Sequence, residues 1–191
     1  MIVGVDEVGR GPLAGPVIAA AVILSPADDF AYQDSKQCTP KKREQIFARL
    51  MQQAVEWRIG LVSSQQIDQM NILQATLLAM KLAVNQLHHP VTHVHVDGHQ
   101  MPNWDYTATT HIKGDQNFRC IAAASIIAKV IRDQMMSRYD VRYPGYDFDK
   151  HKGYPTRAHI ERLVALQPCD IHRRSFGPVK KIEKAGIMVE I

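Results

Sequence analysis

The chain has 191 residues, of which 46% are hydrophobic and 22% are charged, and its formal net charge at pH 7 is +4. This composition predicts one globular domain with a real core. The longest apolar run, Val17 to Leu24, is too short to cross a bilayer, and no signal-peptide pattern follows Met1. The three cysteines are scattered and lack a Cys-x-x-Cys pair. We therefore expect a reduced, cytoplasmic protein without a membrane span, and the cysteines give no support for a zinc site.

Two apolar strands joined by a turn open the chain. Ile2–Val8 and Pro16–Leu24 are rich in small and β-branched residues, and the Gly- and Pro-rich segment between them predicts a hairpin. Thr39 has the residue type of an N-cap and a proline follows it, so a helix is expected over about 40–55. A third strand is expected at Trp57–Val62.

A helical region is predicted to begin at Ser64 and to end near His88. Its apolar residues recur at helical spacing, which marks the face expected to be buried. These residues are Ile72, Ala75, Leu78, Ala79 and Leu82.

The second half of the chain alternates strands with helices. Strands are predicted at Thr92–Val96 and Thr107–Ile112, and helices at Ile121–Met136 and Thr156–Leu166. The remaining C-terminal residues have a loop-rich pattern. Hairpin strands followed by alternating strands and helices predict an α/β fold with a mixed sheet and helices on both faces.

Acidic residues stand where the predicted strands end. Asp6 and Glu7 close the first strand, and Asp97 and Asp115 follow later strands. Mg²⁺ and Mn²⁺ prefer carboxylate oxygens, and two such ions roughly 3.5–4 Å apart can clamp the attacking and leaving oxygens of a phosphodiester. Each acid taken alone has a commoner role in a turn or a helix cap. The adjacent pair beside a glycine-rich segment is harder to explain in that way.

The glycine-rich segment begins with Gly9, Arg10 and Gly11. Glycines leave backbone N–H groups open to an approaching anion, so the segment and the acids together suggest metal-assisted chemistry on a phosphate ester. A dinucleotide-binding fingerprint is excluded, because Pro12 and Pro16 interrupt the segment and a strand pattern follows it.

Basic residues are concentrated in the C-terminal segment from about 140 to 191. They comprise Lys152, Arg157, Arg162, Arg173, Arg174, Lys180, Lys181 and Lys184. Such a segment is compatible with nucleic-acid binding and also with an ordinary solvated face. A non-catalytic nucleic-acid-binding module is therefore a second hypothesis, although a pure binder gains nothing from carboxylates that face phosphates.

Histidines surround Asp97 and offer a third, minor hypothesis. His93 and His95 lie two residues apart on a predicted strand and so face the same way. A metallohydrolase site built from these two residues and Asp97 is conceivable. The sequence lacks a His-Glu-x-x-His motif that would support zinc hydrolysis.

Seven segments distributed along the chain are, in their order, those of one known family. They are Gly4–Pro16, Asp34–Lys36, Val96–Gly98, Lys113–Asp115, Ala123–Asp133, His151–Thr156 and His172–Phe176. On these segments the chain resembles the bacterial type 2 ribonucleases H, the ribonuclease HII family, nearly from end to end.

The resemblance implies a single ribonuclease H-like catalytic domain over residues 1–191, with a small helical and loop-rich C-terminal region. It implies an endonuclease that hydrolyses the RNA strand of RNA–DNA hybrids. It also implies cleavage on the 5′ side of ribonucleotides embedded in duplex DNA, which leaves 3′-hydroxyl and 5′-phosphate ends. The expected cofactors are two divalent cations, Mn²⁺ or Mg²⁺. We expect a monomer, and the sequence does not identify its protein partners.

The resemblance also assigns roles to individual residues. The family's catalytic and metal-binding acids fall on Asp6, Glu7, Asp97 and Asp115. The loop that reads the ribose 2′-hydroxyl falls on Gly9, Arg10 and Gly11, the sugar-stacking tyrosine on Tyr154, and positions near the substrate backbone on Ser35 and Lys36. The chain departs from the family pattern at Cys38, Pro155 and Gly177. Pro155 restricts the conformation of the residue before it, which is the tyrosine.

Overall fold

A computed structural model describes residues 1–32, 35 and 38–187, and within them the chain forms a five-stranded sheet in the order β3-β2-β1-β4-β5. The strands are β1 (Ile2–Val8), β2 (Val17–Ile23), β3 (Glu56–Val62), β4 (His93–Asp97) and β5 (Ala108–His111). Strand β1 pairs antiparallel with β2 and parallel with β4, and β4 pairs parallel with β5. The predicted α/β fold with a mixed sheet is confirmed.

Helices of very different lengths accompany the sheet. They are α1 (Pro40–Gln53), α2 (Ser64–Met70), α3 (Ile72–Asn85), α4 (Gly114–Asn117), α5 (Arg119–Arg142), α6 (Phe148–His151), α7 (Arg157–Leu166) and α8 (Gly177–Ile187). The predicted cap of α1 is confirmed, since the Thr39 hydroxyl accepts a hydrogen bond from the Lys42 N–H.

The helical region predicted from Ser64 to near His88 is confirmed, and it consists of the two helices α2 and α3. Asn71 has φ of 76° between α2 and α3, and its side chain accepts a hydrogen bond from the Gln74 N–H at the start of α3. The predicted inner face was wrong at Leu82, which is exposed.

Close packing of α3 on β3 explains the orientation of the helix. A Cβ atom added at Gly60 would lie 1.9 Å from the Ala79 carbonyl oxygen, so only glycine fits at position 60. Ala79 and Ala83 are fully buried, and Leu82 is left on the outer side. The steric fit of the two backbones, which residue spacing does not reveal, sets the buried face.

Helix α8 was missed in the predicted loop-rich segment. Gly177 and Pro178 suggest a break, yet a proline is well tolerated in the first turn of a helix. Val179 of α8 packs in a buried cluster with Leu13 and Leu163. Burial of this apolar residue stabilises a helix whose other side carries lysines.

The described chain forms two compact units. Unit 1 consists of Met1–Val8, Ile18–Leu61 and Thr76–Ile131, and unit 2 of Gly9–Val17, Val62–Ala75 and Arg132–Ile191. The single catalytic domain over residues 1–191 stays a prediction. In the part of the chain that the structure describes, none of the helices combines the length and the apolar character needed to cross a membrane.

Buried histidines form part of the core of unit 2. His159 Nε2 lies 3.2 Å from His172 Nε2, and the His151 ring stacks on the His159 ring with centroids 4.2 Å apart. Burial lowers the pKa of His159 to about 4 and the pKa of His172 to about 3. These values include the effect of the neighbouring histidines, since two adjacent rings resist carrying charge together.

We expect this cluster to make the protein less stable in acid. Both histidines bind a proton in the unfolded chain near pH 6.5, but in the folded protein only near pH 4 and pH 3. Their contribution to stability is therefore complete above pH 6.5 and is lost as the pH falls toward these folded values. Each histidine should change the free energy of unfolding by about 1.4 kcal/mol per pH unit within its window.

Urea denaturation at pH 7, 6, 5 and 4 tests this expectation. The slope of the unfolding free energy against pH reports the number of protons that the chain takes up on unfolding. In His159→Gln this number should be lower by roughly one, provided that the variant remains folded. An unchanged slope in the folded variant would contradict the assigned origin of the acid sensitivity.

Candidate active site

Three carboxylates meet at one end of the central strands of unit 1. Asp6 and Glu7 lie near the end of β1 and Asp97 ends β4. The parallel register aligns Val5 with Val96, so the acids that follow them become neighbours. One carboxylate oxygen of each acid lies within 4.8 Å of the others, and no other group of three potential metal ligands is found within the described residues.

The cluster has an electrostatic character that suits a cation. Asp6 is buried, and burial raises the pKa of its carboxyl well above the ordinary value. The negative charges of Glu7 and Asp97 raise this pKa further. A divalent cation among the three groups would remove this repulsion. The donors are all carboxylate oxygens, which fits Mg²⁺ or Mn²⁺.

Asp97 is held in place by the turn after β5. Its Oδ1 accepts a hydrogen bond of 2.7 Å from the Gly114 N–H. A Cβ atom at Gly114 would lie 2.6 Å from Ile121 Cδ1 and 3.3 Å from this same carboxylate oxygen, so the close contact favours glycine. Asp115 follows directly and is buried in α4. It lies outside the three-acid group but next to the residue that orients Asp97.

Helix α5 brings a further polar group to Asp6. A Cβ atom at Gly4 would lie 2.1 Å from the Cys120 carbonyl carbon, which shows how closely the start of α5 approaches β1. This approach sets Ser125 beside the Asp6 carboxyl. Hydrogen bonding from the serine hydroxyl favours the ionised acid and so offsets part of the rise in its pKa. Sequence reasoning missed a site role for Ser125, whose only signal was its place among small helical residues.

Ser35, which was predicted to lie near the substrate backbone, contacts this same serine. The two hydroxyl oxygens are 2.9 Å apart, and both side chains are buried. Ser35 is thus connected through Ser125 to the metal-site candidate Asp6. Lys36, the other residue predicted for this role, and Asp34 lie outside the described residues.

The histidines near Asp97 do not join the acids. His95 Nδ1 lies 2.8 Å from His111 Nε2, and the His95 ring stacks on Phe118 with centroids 5.0 Å apart. His93 Nε2 lies 3.0 Å from the Thr109 hydroxyl. Asp97 groups with the other two acids instead, so the structure favours the carboxylate site over the histidine hypothesis.

In unit 2, the glycine-rich segment over residues 9–16, here called the glycine loop, lies beside Tyr154. Gly9 is buried with φ of 97°, and a Cβ atom there would lie 2.5 Å from the Arg132 Nε. Arg10 and Gly11 are exposed, and a Cβ atom at Gly11 would lie 3.8 Å from Tyr154 Cε1. The tyrosine is itself partly exposed. This surface offers backbone groups and an aromatic face to a ligand.

Comparisons with known proteins agree on one family. The sequence model of the family described as Ribonuclease HII matches residues 3–179. The chain is 52% identical over 185 residues to "Ribonuclease HII" of Nitrosococcus oceani, covering 96% of this chain and 92% of that protein. The structure is similar to the solved ribonuclease H2 from Pyrococcus horikoshii OT3, with a TM-score of 0.81, 27% identity, and coverage of 96% of this chain and 97% of that chain.

The fold alone is also shared with a more distant protein. Bst-RNase HIII, solved in complex with Mn²⁺, has a TM-score of 0.72 and 15% identity to this chain, covering 96% of this chain and 69% of that chain. The extent of the family match and the identity to the Nitrosococcus protein are decisive. The chain is a nuclease and belongs to the ribonuclease HII family.

Proposed function

We propose that this nuclease hydrolyses the RNA strand of RNA–DNA hybrids and cuts duplex DNA on the 5′ side of embedded ribonucleotides. The products are a 3′-hydroxyl and a 5′-phosphate. The observation that carries the proposal is the group formed by Asp6, Glu7 and Asp97, whose oxygens converge within 4.8 Å. The family supports endonucleolytic action on hybrids. The protein acts as a cytoplasmic monomer in this proposal.

The cofactors are two divalent cations, Mn²⁺ or Mg²⁺, held by the three grouped acids together with Asp115. When bound, such cations neutralise charge on the attacking and leaving oxygens of the phosphodiester. Asp6 supplies a buried ligand whose orientation is fixed by a 2.7 Å hydrogen bond from the Glu7 N–H. Gly114 fixes Asp97 in the same way. The presence of Mn²⁺ in Bst-RNase HIII is consistent with this choice of ion.

Recognition of the ribose is assigned to Gly9, Arg10, Gly11 and Tyr154. The 2′-hydroxyl is the group that distinguishes RNA from DNA at a given position. Backbone groups of an exposed loop can bond it as donor or acceptor, and a deoxyribose leaves them unpaired at a cost. The aromatic face of Tyr154 packs on the neighbouring sugar. Ser35 and Lys36 are assigned to positions near the substrate backbone in this proposal.

The carboxylates argue against a module that only binds nucleic acid. Three converging acids repel the phosphates of a nucleic acid unless cations lie between them. A protein that gained only affinity from basic residues would have no use for the arrangement. We therefore propose that the chain is a catalytic domain and not a module that only binds nucleic acid.

Cleavage of a labelled RNA–DNA hybrid tests the proposed activity. The protein should cut the RNA strand internally in Mn²⁺ or Mg²⁺ and should leave it intact in excess chelator. Both strands remaining whole in either metal, with folded protein and bound hybrid, would favour the binding module instead.

A further inference from the structure

Two arginines of unit 2 are completely buried beneath the glycine loop. Arg132 and Arg173 each have 0% exposure. Arg173 was predicted to belong to a basic segment that binds phosphates or faces solvent, and for this residue the burial contradicts both expectations. A buried guanidinium costs free energy unless its donors are satisfied, so its partners indicate its purpose.

Both guanidinium groups donate hydrogen bonds to backbone carbonyl oxygens of unit 2. Arg173 donates through Nη2 to Gly9 at 2.6 Å, through Nη1 to Arg10 at 3.0 Å and through Nε to Gly15 at 3.0 Å. Its backbone N–H also donates to the Leu13 carbonyl at 2.8 Å. One residue therefore fixes four carbonyl groups of the loop.

Arg132 completes this framework and extends it to the tyrosine. It donates to the carbonyl oxygens of Ala14 and Lys152 at 3.0 Å and of Pro16 at 3.1 Å. The Lys152 carbonyl lies two residues before Tyr154. The two arginines thus support both parts of the surface to which ribose recognition is assigned.

The geometry of the peptide bond gives these contacts a consequence. In a planar trans peptide, the carbonyl of one residue and the N–H of the next point in opposite directions. The described residues contain no cis peptide bond. Since the Gly9 and Arg10 carbonyls point inward to Arg173, the N–H groups of Arg10 and Gly11 point away from the buried guanidinium. Both of these residues are exposed.

We propose that Arg173 is a positioning residue for ribose recognition, which holds two carbonyls inward so that the N–H groups of Arg10 and Gly11 are presented to the ribose 2′-oxygen. The inference rests on the proposed function. A planar fork of donors is needed to hold two successive carbonyls, and a lysine ammonium cannot reproduce it. Burial, together with the nearby Arg132, lowers the pKa of Arg173 to about 9, which leaves the fork charged at neutral pH.

The test compares Arg173→Lys with the wild type and with the control Arg58→Lys. Arg58 lies in unit 1 and also donates to backbone carbonyls, those of Trp57 and Gln86, but far from the loop in sequence. Affinities are measured in chelator for a duplex with one ribonucleotide and for the same duplex in DNA only. Cleavage rates and melting curves are measured in parallel.

We expect Arg173→Lys to lose about tenfold or more in kcat and most of its preference for the ribonucleotide duplex. Its affinity for the DNA-only duplex should stay within about threefold, since phosphate contacts dominate that affinity. Arg58→Lys should match the wild type. A folded Arg173→Lys protein that retains both kcat and preference would overturn the inference. Equal losses in both affinities, without loss of preference, would also overturn it.

A second measurement keeps the inference testable if the lysine variant does not fold. In the wild type, the amide signals of Arg10 and Gly11 should respond to the ribonucleotide duplex and not to the DNA-only duplex. Identical responses would overturn the inference. If the wild type cleaves no hybrid, the proposed function is contradicted. If it cleaves hybrids but its two amide signals respond equally to both duplexes, only the positioning role is contradicted.

Discussion

Asp6→Asn is expected to lower the cleavage rate by at least about a hundredfold, on the scale of losing one electrostatic group that acts on the transition state. The substitution removes a buried charge from a group of three acids whose oxygens lie within 4.8 Å. It therefore weakens the hold on a cation. It also relieves repulsion in the protein without metal, so the melting temperature in chelator should hold or rise.

The measurement combines steady-state cleavage with melting curves in chelator and in Mn²⁺. The wild type should be stabilised by Mn²⁺ because it binds only the folded state, and Asp6→Asn should be stabilised less. Asp97→Asn should behave in the same way, whereas Asp105→Asn, at an exposed acid, serves as the control. Activity within a few-fold of the wild type in either site variant would contradict the assignment of these acids to a metal site.

The second large effect is expected at the glycine loop, where Gly11→Ala should impair cleavage while the fold survives. Gly11 does not have a positive φ, and a Cβ atom there would meet only Tyr154 Cε1 at 3.8 Å, which is an ordinary contact. The added methyl group instead occupies space on the exposed side, where a ribose must approach the backbone. Small misplacements near the chemistry can cost about a hundredfold in rate.

Two comparisons separate recognition from folding. Gly177→Ala adds a methyl group into open space in the same unit and should leave activity unchanged. Gly9→Ala should destabilise unit 2, because φ of 97° and the contact with Arg132 both oppose a side chain. Tyr154→Ala should resemble Gly11→Ala. If duplex affinity collapsed in step with rate for Gly11→Ala, or if neither changed, the loop would not have the discriminating role.

The sequence allowed the sheet and its acids to be predicted because both depend on local patterns. Apolar runs predicted β1 and β2, and acids at strand ends predicted the site. The register that aligns Val5 with Val96 then accounts for the convergence of Asp6 and Asp97. Asp115 was assigned to the site by its place after a predicted strand and by the resemblance. Its role stays a prediction, as do those of Asp6, Glu7, Asp97 and the loop residues.

Features that depend on long-range packing could not be predicted. Arg173 has the appearance of one more basic residue in a basic segment, and only its burial against the carbonyls of residues 9–15 reveals a different environment. The inner face of α3 was misjudged for a similar reason, because the approach of Gly60 to Ala79 sets it. Ser125 became a site candidate only through the position of α5.

Cleavage of a DNA duplex that contains one ribonucleotide is the decisive measurement of the proposed activity. The products are mapped at nucleotide resolution, in Mn²⁺ and in chelator, with the DNA-only duplex as the matched control. We expect a single metal-dependent cut on the 5′ side of the ribonucleotide, with a 3′-hydroxyl and a 5′-phosphate, and no cut in the control. A cut that persists in chelator, or one that appears equally in the DNA-only duplex, would contradict it.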